Sequence, residues 1–158
     1  MQRWTDERRT IAEGCRILAH RGLVDDILGH ISFRVDETTV LVRCRGPLER
    51  GLAFTLPADI HELSLDGSHD LPDLAGHGLT AAGESVEQAV IRAVNVETLA
   101  KMQLSVLSAG ATPPDIVEAD RGDLPDLGSA FNDAMVWRFH LAAIDHAGLS
   151  IRRPEEAK

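Results

Sequence analysis

Leu74-Ala75-Gly76-His77-Gly78-Leu79-Thr80-Ala81-Ala82-Gly83-Glu84-Ser85-Val86-Glu87-Gln88-Ala89 is the stretch on which the architecture turns. A short apolar run is pinned around a Gly-His-Gly triplet. Ser85-Val86-Glu87-Gln88 then reads as a capping box, in which the serine hydroxyl accepts from an exposed amide of the first turn while Gln88 reaches back. Val86, Ala89, Val90, Ala93, Val94, Leu99 and Leu107 follow at helical spacing, broadened by Ala100 and Leu104, which predicts a helix to about Ala109. A histidine between two glycines, just ahead of a helix, is open to whatever fills a neighbouring cleft. Neutral imidazole is a common metal ligand, and the glycines leave room for an ion and a substrate. A turn histidine with no ligand explains the same residues.

Upstream, Ile11, Cys15 and Leu18 recur at helical spacing, with Ala12 and Ala19 widening the stripe and Arg8, Arg9 and Arg16 on other faces. That predicts a helix from Thr5 to His20, ended by Arg21-Gly22. Ile31–Val35 alternates like a half-buried strand, Asp36-Glu37-Thr38 turns, and Thr39–Cys44 reads as an antiparallel partner. Arg45-Gly46-Pro47 breaks it. A third extended piece is expected at Ala53–Leu56, and a further strand at His61–Leu65, closed by Asp66-Gly67. Downstream, Gly110–Gly128 is a linker rich in Pro, Asp and Gly. Ser129 caps a last helix to about Ala147, whose expected buried side carries Phe131, Met135, Phe139 and Ala142 or Ala143. Short connections make the sheet mainly antiparallel, in an α/β or α+β layered domain.

The chain has 158 residues, 44% of them apolar and 26% charged, which suits one globular domain with a real core. The expected domain covers residues 1–150, with a charged tail at 151–158. Only 4% of residues are aromatic and none is tyrosine, so Leu, Val, Ile and Ala must fill the interior. Sixteen basic against 25 acidic residues leave a net charge of −9. That balance argues against nucleic acid and against anionic membrane surfaces as partners. A local basic pocket for a small anion remains compatible with it, because distant charges are screened. Cys15 and Cys44 sit among apolar neighbours and read as buried, reduced thiols. The N-terminus lacks an apolar run and no stretch is long enough to span a bilayer, giving the expectation of a cytoplasmic protein.

Two further constellations could carry chemistry. In Gly29-His30-Ile31-Ser32-Phe33-Arg34, glycine lets the backbone approach a ligand, and Ser32 and Arg34 supply donors suited to phosphate or carboxylate. A turn glycine followed by a strand with one solvated arginine accounts for it as well. His61, His69 and His77, with Asp66, Asp70 and Asp73 nearby, contain enough groups for a three-ligand zinc site. Their even spacing matches no standard local motif, and histidines that never meet are the plain alternative. His140 and His146 read as structural. Ser-His-Asp, P-loop and GxGxxG signatures are absent.

The order of these pieces resembles the class II aldolase/adducin family. Gly22-Leu23-Val24, Gly29–Arg34, Leu41–Gly46, Phe54–Ile60, Leu65-Asp66-Gly67 and the Leu74–Ala89 stretch carry the resemblance, over about Ile11 to Leu107. It implies a three-layer α/β/α fold with a mostly antiparallel central sheet. It also implies a divalent metal, typically zinc, held by several histidines, and a homo-oligomer with active sites at subunit interfaces. The implied activity is aldehyde-lyase or decarboxylase chemistry on a small anionic hydroxy-carbonyl substrate. By this resemblance His77 is the last metal-binding histidine. Gly29, Ser32 and Arg34 lie beside the substrate's phosphate or carboxylate, with His30 where many members have Asn. Arg45, Gly46 and Thr55 fall near a second substrate-side loop.

The departure lies between Asp66-Gly67 and Leu74. There the family carries an acid/base residue, a helix, and a strand whose His-x-His pair completes the metal site. Here the connection is Ser68-His69-Asp70-Leu71-Pro72-Asp73, and no His-x-His occurs anywhere. The expectation is a domain shortened near 67–74, with His77 as metal ligand and His69 and His61, or Asp70 and Asp73, as helpers. A single histidine holds zinc poorly, so two readings stand: an impaired lyase or decarboxylase, and a non-catalytic binding or scaffold subunit of the same fold.

Overall fold

A computed structural model describes residues 3–24, 28–44, 49–65, 79–112, 115–123 and 129–151. Three helices, α1 (Thr5–His20), α2 (Val86–Ser108) and α3 (Ala130–His146), accompany three strands, β1 (Ser32–Arg34), β2 (Thr39–Arg43) and β3 (Ile60–Ser64). The strands form one antiparallel sheet in the order β1-β2-β3. Phe33 pairs with Leu41, and Leu41 in turn with Glu62. The expected antiparallel meander is therefore present, with β2 in the middle. Central position explains why Leu41, Val42 and Arg43 are all buried, where an edge strand would alternate.

The extended piece expected at Ala53–Leu56 is not a strand. Leu52–Phe54 and Pro57–Asp59 are short 3-10 turns. Gly51 enters them at φ 83°, and the Asp59 carboxylate accepts the Leu56 amide at 2.8 Å, closing a local turn that competes with sheet pairing. Pro57 at the first position of its turn has its φ fixed and offers no amide to a ladder.

α1 runs through the centre. Ile11, Ala12, Cys15 and Ile17 are fully buried, and Ile11 joins Leu41, Leu52, Ile60, Val90 and Ile144 in the core. Burying each such Ile or Leu contributes about 1.5–3 kcal/mol. The arginine faces of α1 are covered as well. Arg8 donates to the Ile60 carbonyl and, at 3.1 Å, to that of Arg3. Arg16 donates to the carbonyls of Thr55 (2.8 Å) and Leu149 (2.5 Å). Two charged residues thus staple α1 to the turns and to the chain after α3, which is how they tolerate burial.

Both later helices differ from expectation in what they bury. The first half of α2 packs through Val86, Val90, Ile91, Ala93 and Val94, but the second half does not: Leu99, Leu104 and Leu107 are exposed. The buried face of α2, packed on α1 and α3, ends at Val94. On α3, Phe131, Met135 and Phe139 face solvent, whereas Trp137, His140 and Ile144 face inward. This helix carries two apolar stripes at helical spacing, and only one can meet α1. Its Ser129 cap forms as expected, accepting from the Asn132 amide at 3.4 Å. Both cysteines are free and buried. Among the described residues no helix is long and apolar enough to cross a membrane.

Candidate functional site

Gly29 starts the site. Its φ is 83°, and a Cβ there would lie 2.9 Å from Val24 Cγ1, so only glycine fits the bend into β1. Gly29, His30, Ile31 and Ser32 line a cleft of ≈ 390 Å3 that is also lined by Leu18, Leu23 and Val24 at the end of α1 and by Ala89, Val90 and Ala93 of α2. Leu79, Thr80 and Ala81, the described residues that follow Gly76-His77-Gly78 in sequence, line it too. The Gly29–Ser32 segment and the residues leading into α2 thereby meet at one place. The chain after Ala81 is tied to the start of α2. Arg92 Nη1 donates to the Ala82 carbonyl at 2.7 Å, and the Glu84 amide donates to Gln88 Oε1 at 2.9 Å. Ser85 Oγ accepts the Gln88 amide at 3.2 Å. Gln88 does reach back, one residue beyond the cap. Gly83 passes so close to α2 that a Cβ would lie 2.8 Å from the Ala89 amide.

An apolar cleft with a few polar groups suits a small organic ligand. His30 and Ser32 supply polar contacts from one segment and Thr80 from the other. Arg34 does not line it: its Nε donates to the Asp36 carbonyl at 3.1 Å and its Nη2 to the Glu37 carbonyl at 2.6 Å, which fixes the β1–β2 turn. Asp36 in that turn is held below the usual carboxylate range, chiefly by the Thr38 amide. His61 is exposed on β3 opposite Val42 and does not line the cleft either. Thr55 is buried beside the Cys15 thiol and does not line the cleft. Arg45, Gly46, His69 and His77, with Asp66, Asp70, Asp73 and the expected shortening near 67–74, lie outside the described residues. Among the described residues, no three His, Cys, Asp or Glu side chains converge to hold a metal ion.

Arg43, which motif reading passed over, is a buried cation at the end of the central strand. It is ion-paired to Glu49 through Nη2, while Nε and Nη1 have no partner. Burial works to raise the Glu49 pKa, but the bonds from Arg43 and the Gly51 amide bring it below its ordinary value. Beside this pair, burial pushes the Cys15 thiol up to about 12 against the lowering influence of Arg43 and Thr55, so it is not a nucleophile. The available signal was positional: two residues after Leu41 on a central strand, alternation demands an inward side chain, and the sequence supplies arginine.

The sequence model of the Class II Aldolase and Adducin N-terminal domain matches residues 9–73 and 73–104. The chain belongs to the class II aldolase and adducin family. It is similar to the 3,4-dihydroxyphthalate decarboxylase of Arthrobacter keyseri, 35% identical over 234 aligned positions that cover 89% of this chain and 94% of the relative. The protein of the same name from Terrabacter sp. (strain DBF63) is 30% identical over 229 positions, covering 86% and 96%. That from Rhodococcus jostii (strain RHA1) is likewise 30% identical, covering 85% and 94%. No solved structure matches the chain. The aligned lengths exceed the 158 residues present, so these relatives carry stretches that stand opposite no residue of this chain. The two matched parts of the family domain meet at residue 73.

Proposed function

We propose that this chain binds a small anionic hydroxy-carboxylate in the cleft between Gly29–Ser32 and Leu79–Ala81, and that the metal-dependent decarboxylase chemistry of its family is impaired in it. The carrying observation is the meeting of these two segments at one cleft, in a chain without a His-x-His pair. Similarity to three 3,4-dihydroxyphthalate decarboxylases supports a carboxylate-bearing aromatic ring as the substrate class. Gly29, His30 and Ser32 are the substrate-side residues of this reading; Arg34 and Thr55 do not line the cleft, and Arg45 and Gly46 lie outside the described residues. The family's divalent ion, zinc in this reading, would polarise a substrate oxygen when bound. His77 is the ligand the sequence offers, with His69 and His61 as helpers. The described residues do not by themselves supply a metal site, so no step is derived through one. His61, exposed on β3, is not brought to the cleft.

The remaining expectations belong to the same proposal: one shortened three-layer α/β/α domain over 1–150 and a homo-oligomer. Exposed Leu99, Met102, Leu104 and Leu107 on α2, with Phe131, Met135 and Phe139 on α3, favour assembly. They equally favour the second reading, a scaffold subunit that keeps the fold and its contact surface without turnover. Elemental analysis of the purified protein separates the two. Stoichiometric zinc that disappears in His77→Ala, together with decarboxylation, would restore a working enzyme; a folded, metal-free oligomer that binds carboxylates supports impairment.

A further inference from the structure

The lining of the cleft divides into aliphatic and polar parts. Leu18, Leu23 and Val24 supply carbon from the end of α1 and the residues after it, and Ala89 and Ala93, a helical turn apart, supply it from α2. His30, Ser32 and Thr80 are its polar side chains, and among the described residues that line it none is Asp, Glu, Lys or Arg. Leu28 and Leu79 line the cleft too, yet they are 51% and 54% exposed, one on each of the two segments that meet there. Both segments are held in place. Val24 lies against the Gly29 bend, and Arg92 and Gln88 tie the chain after Ala81 to α2 at 2.7 and 2.9 Å.

We infer that the aliphatic lining is a subsite for a planar aromatic ring, with Ala89 setting the space the ring has and Leu28 and Leu79 covering it at the mouth. The cleft of ≈ 390 Å3 lies near the lower end of the range of about 300–1,000 Å3 for small-ligand sites, which suits one substituted ring. A ring buries carbon without asking for partners. A polyhydroxylated chain laid against Leu18, Leu23 and Val24 would instead leave hydroxyls unpaired. His30, Ser32 and Thr80 remain for the substituents of the ring. The alanines of α2 keep the cleft open where a larger side chain would fill it. The two exposed leucines leave water only when a ligand covers them, so affinity comes from carbon as well as from charge. The inference rests on the reading of this cleft as the ligand site, but needs neither metal nor turnover.

The test compares phthalate with maleate, which carries two cis carboxylates without the ring, and with catechol, a ring without carboxylates. Calorimetric titration of the whole chain, without added metal, should show phthalate binding at least about tenfold tighter than maleate. Ala89→Leu should remove that advantage and leave maleate unchanged. Leu79→Ser, at an exposed side chain, should reduce it. Equal affinities for phthalate and maleate would overturn the inference, as would a phthalate affinity that neither variant changes, or no binding of phthalate and catechol alike. If Ala89→Leu does not fold, as judged by its amide spectrum, the wild-type comparison and Leu79→Ser decide. Catechol bound without phthalate or maleate upholds the ring subsite while the carboxylate reading fails. Phthalate and maleate bound equally defeats the subsite and leaves that reading standing.

Discussion

Gly29 shows how little backbone freedom the cleft has. Its φ of 83° and the Val24 methyl 2.9 Å from any added Cβ leave no room for a side chain. Gly29→Ala should therefore cost about 1–3 kcal/mol, measured as a lower urea midpoint, and should weaken carboxylate binding more than a mutation of exposed Arg34 does. His140 supplies a pH signature. Burial, together with the charges of Arg21 and His20, holds its pKa below the ordinary histidine value. The unfolded chain takes up that proton first, near pH about 6.5. Stability is thus full above that pH and falls as pH drops from there through the folded-state value. Urea midpoints at pH 7.5 and 5.5 should differ less in His140→Phe than in the wild type; an equal difference would refute the role.

Among the elements, α1 and the start of α2 were legible because one apolar stripe and one cap signal pointed the same way. The Ser85 cap forms as read, and Ser85→Ala should lower stability by about 1 kcal/mol. The α3 helix was legible in extent but not in orientation, since Phe131-Met135-Phe139 and Trp137-His140-Ile144 are both spaced to form a face. Periodicity cannot choose between two such stripes; packing against α1 does. Ile144→Ala should then cost about 2–5 kcal/mol, while Phe139→Ala, at a side chain 64% exposed, should change the urea midpoint little. The reverse order would mean that the helix is turned the other way. Ala53–Leu56 read as a strand from its apolar residues alone, and the local turn chemistry of Gly51, Pro57 and Asp59 overrode that pattern. Arg43 escaped motif reading because its significance lies in unmet hydrogen bonds, which only packing reveals.

At the scale of the molecule, the sequence order of helix, antiparallel strands and helices survives among the described residues, while the apolar patterning of α2 and α3 exceeds what those residues cover. Leu99, Met102, Leu104 and Leu107 extend along α2 beyond the core. They lie in a chain whose relatives carry stretches with no counterpart here. A second subunit covering that surface is the expected remedy. Sedimentation at micromolar concentration should give a multiple of 17.2 kDa, and Leu99→Glu should shift it toward the single-chain mass. A monodisperse monomer would remove the assembly proposal. In the proposed reading, decarboxylation would need metal ligands beyond His77, because one histidine holds an ion poorly. Release of carbon dioxide from 3,4-dihydroxyphthalate, with zinc or manganese in excess and the Arthrobacter keyseri relative assayed alongside, tests this most directly. Rates at background for this chain are the predicted result, and turnover approaching that of the relative would contradict it.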